Sequence, residues 1–233
     1  MDKLIKAYWK DIFDLPIPLV SIDIVIFTIY NWKLCVLLDI KWDEKLWIKY
    51  ILPWWIINKW VSVDDNFEEI LEKRTWLKNL YRHQFWIFWD LNRDPRWQVI
   101  SLWYISLVCS ERLKAEADFS KVRIIELDNI DEIEIWFHFD HKWIIENAKR
   151  RLDFLLDHTN IVINILPSKF TLSQIHKAYE TILWTEIDKR NFLKKILYIN
   201  LVKETWELDK SSSKRPARLY EFAIKDFTPI DIR

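Results

Sequence analysis

Short apolar runs separated by turns dominate the first half of the chain. Residues 19–28 and 34–40 are two such runs, and Tyr30-Asn31-Trp32-Lys33 stands between them. Apolar runs of this length predict β-strands, and a tight turn containing Asn predicts a β-hairpin. Residues 99–110 and 122–127 have the same character. We therefore predict a mixed β-sheet that begins with a hairpin and is continued by these later strands.

Three other segments repeat apolar residues at helical spacing, which predicts amphipathic α-helices at residues 64–75, 171–183 and 188–197. Thr171 stands at the start of the second segment, as an N-cap residue would. The apolar stripe of that segment contains Leu172, Ile175, Tyr179 and Ile182, and that of the third contains Phe192, Ile196 and Ile199.

The order of elements at the C-terminal end predicts a winged helix. The last two helices are joined by the short turn Trp184-Thr185-Glu186, which favours helix-turn-helix geometry. Two strand-like pieces, residues 201–203 and 218–222, follow and flank a polar loop at residues 210–216. Residues 157–164 separate this part from the rest. We predict two domains, residues 1–157 and residues 158–233.

The charge of the chain is zero overall but unevenly distributed. From Ile161 onward there are thirteen Lys and Arg against nine Asp and Glu. A basic C-terminal part with a helix-turn-helix favours double-stranded DNA as its partner. We predict that Arg190 and Asn191 contact bases. The residues predicted to contact phosphates, or the minor groove from the loop, are Lys189, Lys194, Lys195, Lys214, Arg215 and Arg218.

The alternative for this surface is that the basic helix pair serves only solubility or protein contact. A helix-turn-helix protein that binds DNA usually does so as a symmetric dimer on a palindrome, so we expect a homodimer.

The cysteines and the hydropathy pattern favour a reducing cytoplasm. Cys35 and Cys109 both lie in apolar, strand-like runs, where a reduced buried thiol is commoner than a disulfide. The longest apolar run, residues 17–30, is interrupted by Pro18 and Asp23 and is too short to span a membrane. We expect a cytoplasmic protein with no membrane partner.

One feature of the composition is abnormal: the 233 residues include sixteen Trp and no Gly. Several Trp occupy settings in which Gly is usual, such as the hairpin turn at Trp32 and the helix end at Trp76. Our hypothesis is that these Trp positions are Gly in the native protein, because UGA codons that the host reads as glycine were translated as tryptophan. The alternative is a truly Trp-rich protein.

When Trp is taken as Gly, residues 55–77 resemble a Nudix box, Gly-x5-Glu-x7-Arg-Glu-x2-Glu-Glu-x-Gly, without gaps. Nudix hydrolases use the glutamates of this box to bind Mg²⁺ or Mn²⁺. The five positions of the Glu and Arg residues of the box hold Val61, Glu69, Ile70, Lys73 and Arg74 here. We therefore expect no metal cofactor and no hydrolase activity. A displaced metal site at Glu68 and Glu72 is an alternative, although such a pair usually forms a solvated helix face.

Further segments resemble transcriptional regulators related to Nudix proteins, of the NrtR type and their arabinose-responsive relatives. One is residues 85–101, which contain Arg93-Asp94-Pro95-Arg96; the C-terminal ones are residues 166–174, Tyr179-Glu180, residues 188–192 and residues 214–220. Phe139-Asp140-His141 before a helix at residues 144–156 is similar to the C-terminal Nudix helix. There His141 is either a metal ligand or base, or a packed imidazole in an N-cap pair with Asp140.

The resemblance implies an α+β fold, an α/β/α Nudix-like mixed-sheet sandwich, with a C-terminal winged helix-turn-helix domain. It implies a regulator, expected to be a repressor, whose non-catalytic domain senses ADP-ribose or a pentose sugar. Arg93, Asp94 and Arg96 are the predicted effector-binding residues, because guanidinium groups on a rigid turn can hold a phosphate or a sugar hydroxyl. Alternatively, Arg93 and Asp94 only lock the turn. The competing function is a Nudix hydrolase acting on ADP-ribose or a related nucleoside diphosphate.

Overall fold

The computed structural model describes residues 18–41, 49–91, 93–94, 97–131, 140–209, 216–224, 226–230 and 232. The first two strands are the predicted hairpin, β1 (Leu19–Tyr30) and β2 (Lys33–Lys41), with Asn31 and Trp32 in its turn. Two short strands follow, β3 (Lys49–Ile51) and β4 (Trp54–Ile56).

The remaining strands of the large sheet are β5 (Tyr81–Phe88), β6 (Val99–Leu107) and β7 (Val122–Glu126). The order is β3-β2-β1-β6-β5, β4 pairs with β1, and β7 pairs with β2. The β1–β6 pair is parallel and all other pairs are antiparallel. The predicted mixed sheet is therefore present.

Three helices cover the two faces of this sheet: α1 (Val63–Thr75), α2 (Ser110–Glu116) and α3 (His141–His158). Alternate residues of β1 point to opposite faces, as in any strand. Ile24 packs in the core with Phe67 of α1, whereas Val25 packs in the core with Ile144 of α3. The large domain is an α/β/α sandwich with its cores on both faces of the sheet.

Helix α1 begins and ends as the sequence predicts. Ser62 is its N-cap, and the hydroxyl oxygen of Ser62 accepts a hydrogen bond from the amide of Asp65 at 3.1 Å. Trp76 ends the helix in the left-handed conformation with φ of 67°, and its amide donates to the carbonyl of Glu72. Such an end is the usual place of a glycine.

The winged helix consists of α4 (Leu172–Leu183), α5 (Lys189–Tyr198), β8 (Val202–Asp209) and β9 (Ala217–Phe222). Thr171 and Gln174 form a capping box at the start of α4, as expected for this N-cap. Strand β8 is longer than the predicted residues 201–203, and most of the predicted loop lies outside the described residues. Among the described residues, every helix is too short or too polar to cross a lipid bilayer.

Candidate functional site

A cavity of about 350 Å³ lies where β1, β4 and β6 begin and α3 starts. Its polar lining comes from Ser21, Lys41, Arg93, Asp94 and His141. The rest of the lining is formed by Leu19, Trp54, Trp55, Ile56, Trp97 and Val99. A concave site of this size, mostly apolar with a few converging polar groups, is typical of small-molecule binding.

Arg93 is the centre of a buried ion-pair network on one wall of this cavity. Its Nε donates to both carboxylate oxygens of Asp140, at 2.9 and 3.1 Å, and its Nη2 donates to Asp23 Oδ2 at 2.8 Å. Its Nη1 lies 3.4 Å from the hydroxyl oxygen of Ser21. The Arg93 side chain is only 5% exposed. Two carboxylates therefore neutralise this guanidinium and fix its position.

Asp23 joins this network to His141. The Leu52 amide donates to His141 Nδ1 at 3.2 Å, so in the neutral ring the proton is on Nε2, which lies 3.3 Å from Asp23 Oδ1. The Ser101 hydroxyl donates to Asp23 Oδ2. Burial raises the pKa of Asp23, but the hydrogen bond to His141 and the charge of Arg93 outweigh it and lower the pKa to about 2. Asp23 is thus a buried carboxylate that stays ionised.

The structure locates two of the three predicted effector residues. Arg93 and Asp94 line the cavity, and Arg96 lies outside the described residues. Effector binding by these residues stays a prediction, and the ion pairs of Arg93 favour the alternative in which it locks the turn. Asp140 is the N-cap residue of α3, as expected, but its side chain makes no cap hydrogen bond and accepts from Arg93 instead. His141 is buried, as the alternative of a packed imidazole expects.

Sequence reasoning missed Asp23, Ser101 and Lys41 as parts of this site. A usable signal was present for Asp23, because an ionisable residue inside an otherwise apolar strand needs a buried partner. Nothing in the sequence paired it with Arg93, which lies seventy residues away along the chain.

The three glutamates of α1 are all paired with cations. Glu68 accepts from Arg82 at 3.2 Å, Glu72 lies 2.5 Å from Lys78, and Glu69 is hydrogen-bonded to Lys73. Within the described ranges, no three His, Cys, Asp or Glu side chains are grouped closely enough to hold a metal ion. The glutamates of α1 therefore do not fit the divalent cation that a Nudix box implies.

The helix-turn-helix is held by contacts around Ile187, just before α5. The Glu180 carboxylate accepts the Ile187 amide at 3.0 Å, and His176 Nε2 lies 2.8 Å from the Ile187 carbonyl oxygen. The Asp188 side chain then caps α5 by accepting the Asn191 amide at 2.7 Å. These side chains set where α5 leaves the turn, and hence where its outer face points.

Helix α5 presents the predicted basic face. Phe192 and Ile196 are buried, while Lys189, Arg190, Asn191 and Lys194 are exposed and Lys195 is partly exposed. At 100° per residue, Arg190 and Lys194 lie opposite the buried stripe, and Asn191 and Lys195 lie to one side of it. Arg218 on β9 is exposed and paired with Glu204, at 3.0 and 3.1 Å. Lys214 and Arg215 lie outside the described residues.

These features define a Nudix-like sandwich followed by a winged helix with a basic outer helix. Residues 162–222 match the family model described as NrtR DNA-binding winged helix domain. The C-terminal part of the chain therefore matches the NrtR winged helix domain, and the resemblance to NrtR-type regulators is confirmed.

Individual proteins agree with this assignment. The chain is 27% identical over 220 residues to the ADPR responsive transcriptional repressor NtrR of Acinetobacter baylyi, covering 92% of this chain and 86% of the relative. The crystal structure of Shewanella oneidensis NrtR with a 27mer DNA matches with a TM-score of 0.77 at 23% identity, covering 87% of this chain and 93% of that chain. The NUDIX domain of the same NrtR with ADP ribose matches with a TM-score of 0.52 at 23% identity, covering 63% and 97%.

Proposed function

We propose that this protein is a DNA-binding transcriptional repressor whose Nudix-like domain, residues 1–157, senses ADP-ribose without hydrolysing it. The winged helix, residues 158–233, binds the operator. The observation that carries this proposal is the basic outer face of α5 within a winged helix of the NrtR family. The name of the Acinetobacter baylyi relative supports both the repression and the response to ADP-ribose.

On the DNA side, α5 enters the major groove, Arg190 and Asn191 contact bases, and Lys189, Lys194 and Lys195 contact phosphates. Lys214, Arg215 and Arg218 of the wing contact the backbone or the minor groove. Arg218 exchanges its exposed pair with Glu204 for a phosphate at little cost, because exposed ion pairs contribute about 0–1 kcal/mol.

Binding of duplex DNA from the protein's own promoter region tests this proposal by fluorescence anisotropy across a salt series. Lys194→Ala should weaken binding and reduce the slope of log affinity against log salt by about 0.9, because one phosphate contact is lost. Lys114→Ala is the matched control, an exposed lysine on α2 in the other domain. Equal effects of the two substitutions, or no retention of the duplex at low salt, would refute the proposed interface.

On the effector side, ADP-ribose occupies the cavity at the start of β1, β4 and β6, and Arg93 holds the wall of this cavity in place. Arg96 and Asp94 contact the ligand directly. The alternative effector is a pentose such as arabinose, and the ADP-ribose response of the relative favours the nucleotide. Thermal shift with ADP-ribose, NAD and pentoses distinguishes them, because a ligand stabilises the state that it binds.

The competing function is a Nudix hydrolase that cleaves ADP-ribose. The substitutions in the box disfavour it: Val61, Ile70, Lys73 and Arg74 occupy positions where the box has Glu, and Glu69 occupies that of the Arg. We expect no release of AMP from ADP-ribose above the buffer rate with Mg²⁺ present. Turnover at ordinary enzyme rates, above about 1 s⁻¹, would establish the hydrolase instead.

A symmetric homodimer completes the proposal, because two winged helices related by a two-fold axis match the two halves of a palindrome. Light scattering after size exclusion should give twice the mass of one chain, and a mass of one chain would contradict it.

A further inference from the structure

The α1 groove has the position of a Nudix metal site and the opposite charge. Its lining residues are Trp55, Asn58, Asn66, Glu69, Ile70, Lys73 and Arg74, around a cavity of about 290 Å³. Two of these side chains are cations and one is a carboxylate, and that carboxylate is already hydrogen-bonded to Lys73 and to Asn58. A divalent cation needs several oxygen ligands with negative charge, which this set does not provide.

Arg74 is held so that one edge of its guanidinium group remains available. Its Nη1 donates to Asp39 Oδ2 at 3.2 Å, and Asp39 is buried while the Arg74 side chain is 22% exposed. In the described part of the chain, its Nε and Nη2 have no hydrogen-bond partner. These two groups form the fork that binds a phosphate through two parallel hydrogen bonds. Asp39 thus positions Arg74 without using this fork.

The groove is rigid on the side facing Arg74. Asn66 Oδ1 accepts the Asn58 amide at 2.7 Å, and Asn66 Nδ2 donates to the carbonyls of Val61 and Ser62, at 3.1 and 2.8 Å. The loop before α1 is therefore fixed to the helix that carries Lys73 and Arg74. Lys73 is 70% exposed at the rim, where it pairs with Glu69.

This groove adjoins the proposed effector cavity. Trp55 lines both, and it belongs to β4, which pairs with the start of β1. A ligand that extends from one cavity into the other brings its phosphates next to Arg74 and its remaining part next to Arg93 and Asp94.

We propose that Arg74, assisted by Lys73, replaces the divalent cation and binds the diphosphate of the effector directly, so that effector binding needs no metal ion. This inference rests on the proposed function, because it concerns how the same ligand is held. It explains why the chain can lose the box acids and still bind a dianionic ligand. The guanidinium group of Arg74 and the ammonium group of Lys73 donate hydrogen bonds to the diphosphate, which a divalent cation would otherwise contact.

Calorimetric titration of the unmodified protein with ADP-ribose, once in EDTA and once in Mg²⁺, tests whether binding needs a metal ion. We expect the two dissociation constants to agree within about twofold, a difference of less than about 0.5 kcal/mol in binding free energy. Binding that requires Mg²⁺ would overturn this inference and leave the proposed effector intact. This comparison needs no variant, so folding defects do not affect it.

Substitutions of Arg74 test its role in binding the ligand. Arg74→Gln should weaken ADP-ribose binding in EDTA by about tenfold or more, because a charged bidentate contact is lost. Arg74→Lys should be intermediate, because it keeps the charge and loses the fork. Arg150→Gln is the matched control, an exposed arginine of α3 on the opposite face of the sheet. Circular dichroism confirms that each variant is folded, and equal affinities for Arg74→Gln and Arg150→Gln would overturn the role of Arg74.

Inorganic pyrophosphate, titrated in EDTA, separates the two proposals. Weak binding of pyrophosphate that Arg74→Gln abolishes, together with no binding of ADP-ribose in either buffer, would refute the proposed effector and retain the anion site. No binding of either ligand in either buffer would refute both.

Discussion

Several tryptophans adopt a backbone conformation that is unfavourable for a residue with a Cβ atom. Of the eight residues with positive φ in the described ranges, five are Trp: Trp32, Trp60, Trp76, Trp184 and Trp206. Positive φ costs a residue with a Cβ atom roughly 1–2 kcal/mol of conformational free energy, and it costs glycine almost nothing. The other three are Asn, which tolerates it best among the rest. This distribution supports the hypothesis that the Trp positions are Gly in the native protein.

The helix end at Trp76 offers a direct test. Trp76→Gly should raise the free energy of unfolding by about 1 kcal/mol, because glycine relieves the left-handed conformation without leaving a buried cavity. Trp86→Gly is a matched control: both side chains are similarly exposed, 58% for Trp76 and 59% for Trp86, but Trp86 lies in β5. Urea denaturation should show stabilisation at Trp76 and none at Trp86.

Material expressed in the native host tests the origin of these residues. We expect its intact mass and absorbance to match glycine at the Trp positions. Strong indole absorbance and the mass of a chain with sixteen Trp and no Gly would instead establish a Trp-rich protein.

Asp23 should govern part of the acid stability of the fold. Its pKa is lowered to about 2 in the folded state, so its contribution is present above the unfolded pKa of about 3.9 and is lost as pH falls toward 2. When the free energy of unfolding is measured by urea denaturation across pH, Asp23→Asn should lack the part of the stability loss at acid pH that protonation of Asp23 causes. At pH 7 it should cost about 3 kcal/mol, because Arg93 and His141 keep only part of their network.

The control for Asp23 is Asp128→Asn, an exposed carboxylate 3.9 Å from Lys33. It should change stability by less than about 1 kcal/mol at every pH. If Asp23→Asn and the unmodified protein lose the same amount of stability at acid pH, the role of Asp23 is contradicted.

At the scale of secondary-structure elements, the sequence predicts those whose apolar residues recur at a clear period. The hairpin, helix α1 and helices α4 and α5 were all predicted within a few residues, because the hairpin has a turn between two apolar runs and each helix has a clear apolar period. The parallel pairing of β1 with β6 was not predicted, because it joins residues eighty positions apart. Helix α2 was missed, since seven residues are too few for a helical period to be visible.

The candidate site likewise has parts that local sequence predicts and parts that depend on tertiary contacts. The exposure of Arg190 and Lys194 on α5 follows from local spacing, and their contact with DNA stays a prediction. The network of Arg93, Asp23 and Asp140 depends on tertiary contacts between three separate segments. The turn that carries Arg93 and the position of Asp23 inside an apolar strand were local signals, but nothing in the sequence showed that these residues pair.

A segment after β9 was also beyond prediction, and it connects the two domains. Asn160 Nδ2 donates to the carbonyl of Asp226 at 2.8 Å, and the Thr228 amide donates to Asn160 Oδ1 at 2.8 Å. The Phe227 ring lies 5.7 Å from that of Tyr81 on β5. The Ile230 amide donates to the His158 carbonyl at the end of α3. The chain thus returns from the winged helix to the sandwich.

Asn160→Ala should release this segment. The substitution removes two hydrogen bonds of a fully buried side chain, which should cost about 2 kcal/mol in urea denaturation. Hydrogen exchange at the Thr228 amide should accelerate, while exchange in β1 should change only as far as global stability falls. Asn164→Ala is the control, because its side chain donates only to the nearby Ile161 carbonyl. Unchanged exchange at Thr228 would show that Asn160 does not hold the segment.

At the scale of the whole molecule, one apolar core joins the sandwich to the winged helix. It includes Val25 of β1, Leu152 of α3, Ile175 of α4, Ile196 of α5 and Phe222 of β9. Helix α4 also packs against β2 and α3, so the predicted domain boundary at residues 157 and 158 is crossed by continuous packing. A change at the sandwich can therefore move α5 through contacts rather than through a flexible linker.

Under the proposed function, effector binding and operator binding are coupled, and thermodynamic linkage makes this coupling reciprocal. If ADP-ribose lowers the affinity for DNA by some factor, DNA lowers the affinity for ADP-ribose by the same factor. The effect requires that the ligand bind the two arrangements of the winged helices unequally.

The decisive measurement is fluorescence anisotropy of a promoter duplex bound to the full chain, in EDTA, with and without saturating ADP-ribose. We expect ADP-ribose to weaken operator binding by at least about fivefold, the lower end of typical coupling between two sites. Arabinose at the same concentration should have no effect. Binding isotherms that coincide with and without ADP-ribose would contradict the claim that occupancy of the Nudix-like domain controls the winged helix.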